Sequence, residues 1–126
     1  MSDTRAALAV AAGGACGALL RHTATELLPR DPDTFGWTVL AVNVIGCALL
    51  GMLVGYLGGE PRSHRLVRPF LAVGVLGGFT TFSAFALDAF RLADGGEPVG
   101  AVDYVAFSVL GCLGAALLGV RSVTRR

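Results

Sequence analysis

Four long stretches without a charged residue divide this chain: Ala6–Leu20, Thr34–Gly59, Pro69–Leu87 and Tyr104–Val120. A helix rises 1.5 Å per residue, so about 20 apolar residues cross the roughly 30 Å of bilayer hydrocarbon. Each stretch therefore predicts a membrane helix. The first is short for that thickness, and its helix is expected to run on through Arg21 toward Leu28, where Pro29 and Pro32 end it. The expected spans are 4–28, 35–59, 67–91 and 99–121, all approximate. Between them lie Arg30-Asp31-Pro32-Asp33, Glu60-Pro61-Arg62-Ser63-His64-Arg65 and Asp94-Gly95-Gly96-Glu97-Pro98, rich in turn formers and charge. These read as surface loops that leave no room for a soluble domain. The expected fold class is an all-α membrane protein, a single four-helix transmembrane domain over residues 1–126. Four helices are too few to enclose a pathway alone, so an oligomer is expected.

Composition agrees, because 54% hydrophobic and 15% charged residues suit a lipid-facing surface rather than a water-facing one. All ten basic residues are arginine, they sit between the apolar blocks, and the net charge is +1, which leaves no basic footprint for nucleic acid. Cys16, Cys47 and Cys112 each lie inside an apolar block, and an odd count argues against a disulfide framework. They read as small packing residues. The apolar stretch after Arg5 continues past Arg21 without a cleavage site, so it reads as the first span rather than a secretory signal. Arg5, Arg62, Arg65, Arg68, Arg121, Arg125 and Arg126 fall on one side of the expected topology, against Arg21, Arg30 and Arg91 on the other, which favours cytoplasmic termini.

Glycines recur at a spacing of four in Gly13/Gly17, Gly51/Gly55 and Gly74/Gly78, a pattern that lets helix backbones approach closely in lipid. Polar residues inside the spans are the functional signal, since each needs a partner or a wet cavity. Asn43 has two amide donors that suit either a desolvated anion or an interhelical hydrogen bond. In the third span, Gly74, Gly77 and Gly78 followed by Thr80 and Thr81 weaken a helix at mid-membrane depth. A break there would free carbonyls able to bind a hard cation; in the alternative, the helix is unbroken and its Thr hydroxyls bond to preceding carbonyls.

Phe82 and Phe85 share a helix face, where their ring edges can meet a small anion or simply pack. Tyr104, Ser108 and Cys112 recur every four residues and align two hydroxyls and a thiol on one stripe of the fourth span, although Tyr104 also suits an interfacial anchor. Arg21 either snorkels to the interface, closes a phosphate-like site or holds a subunit boundary. His22 and His64 form no metal-ligand or nucleophile–base spacing with Ser83 or any cysteine, so no enzyme is expected.

Taken together, Gly13-Gly14-x-x-Gly17-Ala18-x-x-Arg21, Val42-Asn43-x-x-Gly46 and Gly74-x-x-Gly77-Gly78-x-Thr80-Thr81-Phe82-Ser83-x-Phe85 resemble the small fluoride channels of the Fluc family, also called CrcB. The resemblance covers essentially the whole chain, and the third motif is the most specific. It implies an antiparallel, dual-topology dimer in the cell membrane, with two fluoride pathways and a central sodium ion at a break in the third helix. The partner is then an identical chain or an oppositely oriented sister subunit.

Carried over by motif, Asn43 is an anion-facing donor, Phe82 and Phe85 supply aromatic edges, and Thr81 and Ser83 support the track. Tyr104 and Ser108 continue that track on the fourth helix, where Cys112 stands in place of an expected hydroxyl. Gly77 and Thr80 offer backbone carbonyls to sodium, while Arg21 and Gly78 are structural. Passive exit of fluoride through such a channel protects a cell in acid, where neutral hydrogen fluoride diffuses in and dissociates and the inside-negative potential drives the trapped anion out.

Two other readings compete on the residues alone. A small multidrug exporter also has four helices but needs a membrane-embedded carboxylate; the first span offers only Glu26, near its end. A non-conducting anchoring subunit needs only the glycine packing, with the polar residues acting as glue between helices.

Overall fold

In lipid the backbone has only itself to bond with, so apolar runs of this length wind as helices. The computed structural model describes residues 3–28, 35–58 and 65–125, and helices are the only regular elements among them. Helix α1 spans Asp3–Leu27 and α2 spans Trp37–Leu57. Helix α3 comprises a π-wound segment, Arg68–Leu76, and one α-helical turn, Gly77–Phe79. Helices α4 (Phe82–Asp94) and α5 (Pro98–Thr124) complete the chain. The expectations placed on Pro29, Arg30–Thr34 and Gly59–His64 lie outside the described residues.

The 21 residues of α2 extend about 31 Å at the helical rise, enough to cross the hydrocarbon. Trp37–Leu57, Arg68–Asp94 and Pro98–Thr124 are each long and apolar enough to span a membrane. Helix α1 has 25 residues and the necessary length, but Arg21, His22 and its three glycines make it less apolar than the others. Pro98 opens α5 in the first turn, where its missing N–H costs nothing. The turn before it is closed by Glu97 N–H donating to Leu92 O at 2.9 Å, and it passes through Gly96 at φ 86°, a conformation that favours glycine.

The third span is broken at two residues. Thr80 (φ −75°, ψ 155°) and Thr81 (φ −142°, ψ 125°) are extended, and the chain re-enters a helix at Phe82. The π winding upstream of the break, which begins beside Pro69, was not legible in the residue pattern.

The helices pack as two parallel pairs. Helix α1 lies along α3, with Gly13 against Phe70 and Gly74, and Gly17 against Val75 and Phe79. Helix α2 lies along α5, with Val44 against Gly111, Gly51 against Ala116 and Gly55 against Val120. At Gly13, Gly17 and Gly51 a side chain would run into a backbone carbonyl of the neighbouring helix, so the seams close only where hydrogen replaces a methyl group. Helix α4 packs on α5, directly beyond the break.

Candidate functional site

The interruption between α3 and α4 is held from two sides. On one, Asn43 of α2 grips the backbone of Thr81: its Nδ2 donates to Thr81 O at 2.9 Å, and its Oδ1 accepts the Thr81 N–H at 2.8 Å. That N–H would otherwise have closed the helical ladder onto Gly77, whose carbonyl thereby loses its partner four residues on. On the other side, Arg21 of α1 donates from Nη1 to Thr80 O at 3.3 Å. Of the roles left open for Asn43 and Arg21, the interhelical bond is realised by the first, and the second reaches inward to the break.

Local side chains complete the joint. Thr81 Oγ1 accepts the Ala84 N–H at 3.2 Å and so caps the N-terminus of α4. Thr80 Oγ1 donates to Leu76 O at 2.9 Å, alongside its own N–H at 3.0 Å, which ends the upstream turn. The back-bonded threonine expected of an unbroken helix is thus present, yet the helix breaks at that same residue, whose ψ of 155° is extended.

Beside the break lies a cavity of about 330 Å³. Asn43, Thr81, Phe82, Phe85 and Ser108 all line it, together with Gly77 and Thr80 and with the sulfur-bearing pair Cys47 and Cys112. One Asn43 N–H is committed to Thr81, leaving the second amide hydrogen for the cavity. Ser108 is 5% exposed and its Oγ has no hydrogen-bond partner. A buried hydroxyl in that state costs roughly 1–3 kcal/mol unless something occupies the space before it.

The aromatic residues form a graded wall. Phe82 is 79% exposed, and its ring centroid lies 5.6 Å from that of Phe85. Phe85 in turn stacks on Tyr104 at 5.6 Å. Tyr104 is fully buried, and Phe35 meets it edge-on at 5.0 Å. Tyr104 therefore backs Phe85 instead of lining the cavity. Ser83 also stands outside the lining, exposed, with its Oγ 3.3 Å from Thr81 Oγ1. Gly78 faces away from the cavity, against the Gly14 carbonyl.

Sequence reasoning missed Cys47 and Phe35. Cys47 follows Asn43 by four residues and so shares its helix face, a signal that was available. Phe35 precedes α2, where no periodicity could have aimed it at Tyr104. Among the described residues no group of three or more His, Cys, Asp and Glu side chains converges on a metal position. The site instead combines amide, hydroxyl and ring-edge hydrogens within apolar walls, a set able to replace the water around a small anion.

Comparison with known proteins supplies the remaining observation. The family described as "CrcB-like protein, Camphor Resistance (CrcB)" matches residues 8–120. Over 105 residues the chain is 49% identical to "Fluoride-specific ion channel FluC 2" of Thermobifida fusca (strain YX), covering 83% of this chain and 78% of that one. It is 40% identical over 117 residues to "Fluoride-specific ion channel FluC 2" of Nocardia farcinica (strain IFM 10152), covering 93% and 84%. It is 45% identical over 114 residues to "Fluoride-specific ion channel FluC" of Azotobacter vinelandii (strain DJ / ATCC BAA-1303), covering 90% and 92%.

Proposed function

The chain belongs to the CrcB-like family, and from that premise we propose that it is a fluoride-selective channel subunit of the plasma membrane, through which fluoride leaves the cytoplasm passively. Its work is transport, not catalysis. The observation that carries the reading is the cavity in which Asn43, Thr81, Phe82, Phe85 and the unpartnered Ser108 hydroxyl meet.

Fluoride is small and tightly hydrated, so it crosses only where fixed donors replace its water. The free Asn43 amide hydrogen and the Ser108 hydroxyl supply such donors, and the edges of Phe82 and Phe85 add weaker positive potential. A larger, less hydrated halide gains less from the donors and meets the rings sooner. In this reading Ser83 and Tyr104 act on the route indirectly, Ser83 through Thr81 and Tyr104 by fixing the Phe85 ring.

A single chain leaves Phe82 open on the outer side of the cavity. The proposal therefore includes a second chain inserted in the opposite sense, an identical copy or a sister subunit, to close that side.

A central sodium ion belongs to the same proposal. Gly77 O, released from the helical ladder by the Asn43–Thr81 pairing, is a suitable oxygen donor for a hard cation. Thr80 O already accepts from Arg21, so it would contribute through its remaining lone pair. Two carbonyls are too few for such an ion, and a symmetric partner would double them. When bound, the ion would supply positive charge that pins the two broken helices together; Arg21 and Asn43 orient the carbonyls.

The test is fluoride efflux from liposomes containing only the purified protein, with chloride as the comparison. Fluoride efflux without chloride efflux is expected. Equal flux of both ions would remove the proposal, as would no flux of either when a sister subunit is also present; no flux from this protein alone would assign the second chain to a sister subunit.

A further inference from the structure

Cys47 and Cys112 are not explained by the fluoride route. They come from different helices, α2 and α5, whose parallel register sets Val44 beside Gly111 and Gly51 beside Ala116. That register brings position 47 opposite position 112, and the Cys112 thiol lies beside that of Cys47. Both line the same cavity, and both are free thiols, partly shielded by their surroundings. Ser108, one turn before Cys112 on the same face of α5, directs its unpartnered, buried hydroxyl at the same space.

Two thiols facing one cavity from neighbouring helices are the ligand set of a two-coordinate soft cation. Charge selects among such ions. Two thiolates around a monovalent ion leave a net negative charge among apolar walls, which is costly there, whereas around a divalent ion they leave none. We propose that Cys47 and Cys112 form a binding site for a soft divalent cation of the mercuric type, which closes the cavity when it binds. Two S–H bonds break, two sulfur–metal bonds form, and both protons pass to solvent, with no change in oxidation state. The metal then stands one helical turn beyond Asn43 and Ser108 along α2 and α5, inside the cavity that an anion would have to cross.

Binding does not depend on the fluoride reading; the block of flux does. The experiment uses the full-length protein with Cys16→Ser, because Cys16 is an exposed thiol on α1 that would take up mercury by itself. Hg(II) titration is expected to give one tightly bound ion per chain with release of two protons. Cys47→Ser and Cys112→Ser in that background should each lower the affinity by about 10²–10⁴-fold, the advantage of two linked ligands over one. In liposomes, stoichiometric Hg(II) should stop fluoride efflux through the Cys16→Ser protein and leave efflux through the protein with Cys16, Cys47 and Cys112 all replaced by serine running, because one remaining thiol would still take up mercury. Unchanged affinity in either cysteine variant, or no uptake once Cys16 is gone, overturns the site. Uptake with undiminished efflux overturns the closure. A protein that carries no fluoride at all would fail the channel reading alone, since the titration still decides the metal site.

Discussion

Asn43 bonds to Thr81 through both edges of its amide, at 2.9 Å from Nδ2 and 2.8 Å to Oδ1, across the contact between α2 and the broken third span. The side chain thus does what a neighbouring strand would do for an extended residue, satisfying an N–H and a C=O that no helix can reach. The residue that stabilises the break is thus also one that lines the cavity beside it.

Asn43→Ala removes both bonds and strands the Thr81 backbone. Leaving buried polar groups unpaired should destabilise the protein by about 1–3 kcal/mol, and fluoride efflux should fall with it. Asn43→Asp keeps the acceptor for the Thr81 N–H but turns a second acceptor oxygen toward Thr81 O and brings an unpaired negative charge among apolar walls. We expect Asn43→Asp to melt no higher than Asn43→Ala and to carry no more fluoride. Thermal unfolding in detergent and liposome efflux, measured on both variants, check this.

Ser108→Ala should move stability and flux in opposite directions. The hydroxyl is buried without a partner, so its loss relieves a desolvation cost, and the melting temperature should hold or rise. If Ser108 donates to fluoride in transit, a bond to a charged group worth about 1.5–3 kcal/mol is lost and efflux drops by roughly ten- to a hundredfold. Efflux at the wild-type rate would reduce Ser108 to packing.

Phe82→Ile keeps an apolar residue at an exposed position but deletes the ring edge facing Phe85. The elution volume on size-exclusion chromatography should stay that of wild type, and fluoride efflux should fall. Wild-type efflux from this variant would take Phe82 off the route.

Gly13→Ala and Gly14→Ala are neighbouring substitutions with different consequences. A methyl group at Gly13 meets the Phe70 carbonyl, whereas one at Gly14 has open space around it. Overpacking should cost Gly13→Ala about 1–3 kcal/mol, while Gly14→Ala stays near wild type. Unfolding curves of equal midpoint would show that the α1–α3 seam can spread without penalty.

Exchange of sodium for a large organic cation tests the proposed central ion. Sodium at a hundred times its dissociation constant should add about 2.7 kcal/mol to the assembled protein, seen as a raised melting temperature that the organic cation does not reproduce. Identical melting in both salts would argue against a bound ion at Gly77 and Thr80.

Local pattern carried much of this protein. The charge-free runs announced α2, the third span and α5 because lipid leaves a backbone no alternative to helix, and the paired glycines with Thr80 and Thr81 marked the interruption, since those residues weaken a helix wherever it lies. The spacing of Phe82 and Phe85 foretold a common face by helical geometry alone. Periodicity along one helix is silent about its neighbours, which is why Phe35 escaped notice, Cys47 was read as packing alone although it shares a face with Asn43, and the burial of Tyr104 behind Phe85 was not foreseen.

By itself, then, the amino-acid order settled that the chain is helical and membrane-spanning, where its glycines permit close approach, and where its third span weakens, because each of these follows from interactions within a few residues. Tertiary structure alone decided that α1 runs with α3 and α2 with α5, that Asn43 bonds Thr81 with both its Nδ2 and its Oδ1, that Arg21 turns to Thr80, and that two cysteines face one cavity. Those outcomes depend on which surfaces meet across the bundle, and contacts between residues far apart in the chain leave no trace in the spacing of either partner.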